Sequence, residues 1–209
     1  MTDSTNTPVV EDEELQDYFG GTGGGAPVIT FVNLPIGAEF TGIIVPADVF
    51  SPDVAYVTGK QRNTKNEVLY WPMKPGETKR RPRPQAEITL ITDYRKREFM
   101  SKKAVERAIE REQEDDGLRR WFVKGESADK RFKEALRVNR RREPEVGATV
   151  TVIKTGTEPN AHGGDTNLWG VKYEPPTAAT RKIVQDYIET ALSTPEGADS
   201  GGSEDEPPF

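Results

Sequence analysis

The chain has no cysteine and only one histidine. The first absence excludes disulfides and thiolate metal sites. The second excludes a multi-histidine zinc site within one chain and leaves little for a catalytic triad, since His162 lies in the glycine-rich stretch GTEPNAHGGD. Long apolar runs are also missing. Nothing approaches the roughly 20 consecutive apolar residues of a membrane helix, and the opening MTDSTNTPVVEDEELQDYFGG is neither basic nor followed by a hydrophobic stretch. No membrane span or export signal is expected, and the expected compartment is the cytoplasm. There is no Walker A sequence, no GxGxxG after a strand and no GxSxG, and no helix-turn-helix, zinc-finger or RNP-type motif. The expectation is a protein that is not an enzyme and has no cofactor or metal. The acid pairs Asp115–Asp116 and Glu143/Glu145 sit among arginines and read as solvated charge.

What is present is charge, unevenly divided. The 209 residues carry 29 Lys and Arg against 35 Asp and Glu, a net charge of −6. Residues 1–25 hold six of the acids (Asp3, Glu11, Asp12, Glu13, Glu14, Asp17) and no base; residues 193–209 hold five (Glu196, Asp199, Glu204, Asp205, Glu206) and no base. All 29 bases therefore face only 24 acids in residues 26–192, a body of +5 between two negative arms. The body is suited to a polyanion and the arms are not. The arms are rich in Gly, Ser, Pro and acids, with too little apolar surface to offset the entropy of ordering them, so both are expected to be disordered. The expected organisation is an acidic arm at 1–26, one domain at 27–176, a helix at 177–192 and an acidic tail at 193–209.

Within the body the pattern is mostly that of strands. Glu39–Val45 is β-branched and aromatic, is stopped by Pro46, and contains Gly42, which permits a bulge. A polar passage at 47–85 follows, with a candidate hairpin at 55–73 and the basic segment TKRRPRP at 78–84, kept extended by its prolines. Further strands are expected at 86–94, 118–125, 148–154 and 167–174, the last two joined by a loop at 155–166. Helices are expected at 101–115, on the surface, at 127–138, with Ser127 as N-cap and Phe132, Ala135 and Leu136 inward, and at 177–192, with Ile183, Tyr187, Ile188 and Leu192 on an apolar side. That apolar side is a candidate surface for homo-oligomer formation.

Three strands, a helix, then two strands, with glycine in the first strand, is the element order of a five-stranded OB-fold barrel. The expected fold class is mainly β with helices: an OB barrel with an inserted helix, a C-terminal helix and disordered acidic termini. An SH3-like barrel or a small sandwich would also explain the strands, though neither expects the helix. In LRRWFVKG, side chains alternate across the strand. Trp121 and Val123 suit a core, which leaves Arg120, Phe122 and Lys124 as a ring between two cations, a platform for an unpaired base and its phosphates. The inverted strand, with Leu118 and Phe122 inside and Trp121 exposed, is the alternative. Arg119, beside this platform, joins the candidate DNA contacts. Tyr70 and Trp71, near Lys60, Arg62 and Lys65, either carry stacking rings over a basic groove or pin the long loop onto the body. Arg80, Arg81 and Arg83 can track a phosphate backbone, and the alternative for that run is a solvated loop with no partner.

Two resemblances bear on function. The end SEDEPPF, after a Gly/Ser/Pro linker, resembles the C-terminal tip of bacterial single-stranded DNA-binding proteins. Glu204, Asp205 and Glu206 match the acids, Pro208 and Phe209 match the Pro-Phe end, and Pro207 stands where a larger aliphatic residue is usual. The resemblance implies a docking peptide for replication and recombination proteins. The segments GAEFTGIIV, the WP of LYWP, ITLITDY, DDGLRRWFVKG and VKYEPP are similar in order and spacing to the OB-fold single-stranded DNA-binding proteins of actinobacterial phages, over roughly residues 37–176. That likeness implies a coat for unpaired DNA in replication, recombination and repair, acting in a bacterial host's cytoplasm. A protein-binding adaptor without nucleic acid and an RNA-binding OB-fold fit the same residues.

Overall fold

A computed structural model describes residues 26–31, 34–62, 67–73, 75–92, 99–100, 105–106, 116–123, 126–159 and 165–193. The described part is mainly β, with six antiparallel strands in one open sheet and two long helices. The strands are β1 (Glu39–Ile44), β2 (Val57–Lys60), β3 (Pro84–Ile91), β4 (Leu118–Val123), β5 (Thr149–Pro159) and β6 (Asp165–Glu174). The helices are α1 (Glu126–Val138) and α2 (Ala178–Ser193). No helix among the described residues is long and apolar enough to cross a membrane.

β1 is the centre of the sheet. It pairs with β5 from Glu39↔Ile153 to Ile43↔Thr149, and with the end of β3 through Ile43↔Ile91 and Ile44↔Leu90. β3 also pairs along its length with β4, and its first half pairs with β2 from Val57↔Glu87 to Lys60↔Pro84. β5 and β6 form a long hairpin. The alternation expected from the sequence fixes what is buried: Phe40 and Ile44 on β1, Ile88 and Leu90 on β3, Trp121 and Val123 on β4, Val150 and Val152 on β5, and Tyr173 on β6 form one core. Trp121 is only 6% exposed, so the strand is not inverted. Burial pushes the Tyr173 phenol above its ordinary range, while the N–H of Glu145, which donates to the phenol oxygen at 3.1 Å, pulls the other way.

α1 closes the core from one end. Ala128, Phe132, Ala135 and Leu136 fall at helical spacing and are all buried, and the Phe132 ring meets Trp121 edge-on at 5.3 Å. The helix starts at Glu126, so Ser127 lies in its first turn and is not the N-cap. α2 does have its cap: Thr177 Oγ1 accepts from Thr180 N–H at 3.2 Å, and Thr180 Oγ1 accepts from Thr177 N–H at 2.9 Å. Its buried residue is Val184, with Tyr187, Ile188 and Ala191 half-buried along the same stripe. Ile183 and Leu192, expected on the apolar side, are 39% and 51% exposed because they sit about 100° round the helix from that stripe.

Two other expectations change. Gly42 makes no bulge; it lets β3 pass close, since a Cβ there would lie 2.9 Å from Leu90 Cβ and 3.1 Å from Ile91 O. The irregularity falls instead in β5, between Lys154 and Gly156. The expected loop at 155–166 is mostly strand: pairing continues through Thr157↔Asn167 to Pro159↔Asp165, because Thr155 and Thr157 favour extended backbone and the bulge restores the register. Of the helix expected at 101–115, only Val105 and Glu106 are described, and both are helical; the rest lies outside the described residues, as do residues 1–25 and 194–209 of the acidic arms.

A further segment, Ala26–Phe31, runs along the free edge of β4. Val28 forms a parallel bridge with Arg120, Phe31 packs edge-on against Trp169 of β6 at 4.9 Å, and Ile29 and Phe31 are buried in the core. This strap thus touches both β4 and β6.

Candidate nucleic-acid interface

The long passage between β1 and β3 is a β-arm, and it stands on the sheet through β2 and the first half of β3. Beyond β2 the chain folds back on itself, with Leu69 N–H donating to Gln61 O at 2.8 Å and an Arg62↔Val68 bridge. The basic run then pairs with both legs: Trp71 N–H donates to Arg81 O at 2.9 Å, Arg83 N–H to Leu69 O at 2.9 Å and Gln61 N–H to Arg83 O at 2.9 Å. Pro82 bridges Tyr70 and Pro84 opens β3, so prolines fix φ in an extended ribbon at positions whose missing N–H costs no ladder bond.

This arm collects most of the residues singled out for phosphate and base contact. Lys60, Arg62, Arg80 and Arg81 are exposed on it, and Tyr70 is 43% exposed. Trp71 is half-buried beneath Arg83, whose Cζ lies 5.1 Å from the ring centroid and whose Nε donates to Tyr70 O at 3.3 Å. Neither Tyr70 nor Trp71 belongs to the hydrophobic core or packs against it. Arg81, which is exposed, forms an ion pair with the half-buried Glu77 at 3.1 Å, a surface contact that contributes little to stability. Between residues 57 and 87 the sequence carries eight bases against Glu67, Glu77 and Glu87, so this one stretch accounts for the whole +5 of the body. Lys65 lies outside the described residues.

The second group is on β4, next to the root of the arm. Arg120 and Phe122 share its outer side, with Arg120 Cζ 5.9 Å from the Phe122 centroid. Glu87 stands opposite Phe122 in the β3–β4 register and accepts from Arg120 Nη1 at 3.3 Å. Arg120 Nε donates to Ala26 O at 2.7 Å. Arg119 is not on this surface: it is wholly buried on the Trp121 side of the strand, with Nη1 donating to Leu118 O at 2.7 Å. Its odd-numbered place on β4 decides this, as it does for Trp121 and Val123. Lys124, the other expected flank of Phe122, lies outside the described residues, as do Glu204, Asp205, Glu206, Pro207, Pro208 and Phe209.

Sequence reasoning missed two participants, Glu87 and the strap. Glu87 shows only through its alternation with Ile88, and the strap PVITF was signalled by its β-branched and aromatic content directly after a glycine run. Chemically, the arm and β4 together bring an exposed Tyr70, the half-buried rings of Trp71 and Phe122 and several guanidinium groups, with no cluster of acids among the described residues. No family model, no curated protein and no solved structure matches the chain.

Proposed function

We propose that the protein binds single-stranded DNA along the arm and the outer side of β4, on a small barrel of the OB type. The observation that carries the reading is the Trp71–Arg83 stack on a ribbon that holds the body's whole excess of positive charge. Aromatic faces stack on bases of any identity, contributing roughly 1–3 kcal/mol per base, while the surrounding Lys and Arg neutralise phosphates. The OB reading is supported by the pairing of β1 with both β3 and β5, of β3 with β4 and of β5 with β6, and by α1 between β4 and β5. In that fold the loop between the first two barrel strands is a ligand-binding loop, and here it is the arm. The protein would coat unpaired DNA in replication, recombination and repair, with Glu204–Phe209 recruiting partner enzymes.

Titration with dT and rU oligomers tests this. Stacking on Trp71 quenches tryptophan emission, and the affinity for dT falls steeply as salt rises. Neither quenching nor a mobility shift would favour a protein-binding adaptor, and tighter binding of rU an RNA-binding protein. Removing residues 203–209 is expected to leave dT binding intact and abolish capture of partner enzymes; loss of dT binding would sink this division of labour.

A further inference from the structure

Arg120 is gripped by the strap at three points. Its backbone N–H donates to Pro27 O at 2.8 Å, its carbonyl accepts from Ile29 N–H at 2.9 Å and its Nε donates to Ala26 O at 2.7 Å. The residues before Ala26 are therefore tethered beside the cation and ring of β4, and Glu87, which touches Arg120, marks the root of the basic arm. Those residues carry six carboxylates and no Lys or Arg. Backbone length alone keeps Asp17, nine residues before Ala26, within about 32 Å of it, and Glu14 within about 43 Å. Such tethers give effective concentrations of order millimolar. Asp17, Tyr18 and Phe19 also stand next to one another in sequence, a carboxylate followed by two aromatic residues.

We propose that residues 1–25 dock in cis on the Arg120–Phe122 face and the root of the arm, where their carboxylates hold the phosphate positions until a strand displaces them. The proposal rests on reading this face as the single-strand site. It makes the acidic segment a built-in competitor that sets a threshold: a short or isolated stretch of single strand fails to displace it, and a long one succeeds.

The test compares the full chain with a variant lacking residues 2–25 and with a full-length variant in which the six acids are neutralised (D3N, E11Q, D12N, E13Q, E14Q, D17N). Binding of a dT oligomer is read by anisotropy at about 50 mM and about 500 mM salt. Both variants are expected to bind roughly ten-fold tighter than the full chain at low salt, with the difference shrinking to under about two-fold at high salt. Equal affinities at low salt, or a gain that persists at high salt, would overturn the proposal while leaving the single-strand reading intact. Failure of all three proteins to bind dT would instead overturn the single-strand reading. Docking itself is read without nucleic acid, from the Arg120 Nε–H and Phe122 ring resonances: they are expected to differ between the full chain and the truncated variant and to return when a peptide of residues 1–25 is added, and unchanged resonances would overturn it.

Discussion

Two hairpins extend from the same sheet, and they differ in almost everything except backbone. The β2–β3 arm carries Lys60, Arg62, Arg80, Arg81 and Arg83 with Tyr70 and Trp71; the stretch of the β5–β6 hairpin from Thr155 to Leu168 carries Glu158, Asp165 and His162 and no Lys, Arg, Phe, Tyr or Trp. The lysine at the base of that second hairpin is turned inward: Lys154 is buried, its Nζ donating to Leu34 O at 2.8 Å. The comparison teaches that shape does not define the candidate site. Both are antiparallel ribbons, but only one combines Tyr and Trp side chains with an excess of positive charge.

The largest effect expected from any single change separates the two sides of β4. Trp121→Ala removes a core ring packed on Phe132 and is expected to cost about 3–5 kcal/mol of stability, read by denaturant unfolding. Phe122→Ala, one residue on, is expected to cost under about 1 kcal/mol of stability while weakening dT binding; equal destabilisation by both would dissolve the distinction between core and platform. Next in size, the triple change R80A/R81A/R83A is expected to lower dT affinity about a hundred-fold near 0.1 M salt and to flatten the salt dependence by about two log units per log unit of salt. Trp71→Ala should weaken binding about 5- to 100-fold with the salt slope unchanged and much of the fluorescence quench lost. The smallest effect sharpens the comparison most: E158Q/D165N in the other hairpin should change dT affinity by less than about two-fold at moderate salt, where exposed charges off the binding path are screened. A change as large as that of Trp71→Ala would show that the two hairpins grip one strand together.

Much of the fold was readable because strand alternation is a local signal. Ile88 with Leu90, Trp121 with Val123, and Phe132 with Leu136 announce their burial through spacing alone. What was not readable depends on distant partners. Thr155–Pro159 looks like a loop until Asp165–Leu168 is paired against it, and TKRRPRP looks like a solvated run until Leu69 and Trp71 meet it. The candidate site divides in the same way. Its residue types were evident, and their gathering onto one ribbon came from the register of β2 on β3. Arg119 was drawn into the wrong group by its charge, although its alternation with Trp121 pointed inward.

The strap also has a consequence for the order in which the molecule forms. The contact between Arg120 and Ala26 joins residues 94 positions apart, and Phe31 waits for Trp169, which lies further still along the chain. Contacts that close such long loops form only after the entropy of closure is offset by others, so the β3–β4 and β5–β6 hairpins are expected to form before the strap docks. Among the described residues, the first to leave the ribosome are thus expected to wait for strands made much later, and until they dock, the edge of β4 stays open to any other extended chain.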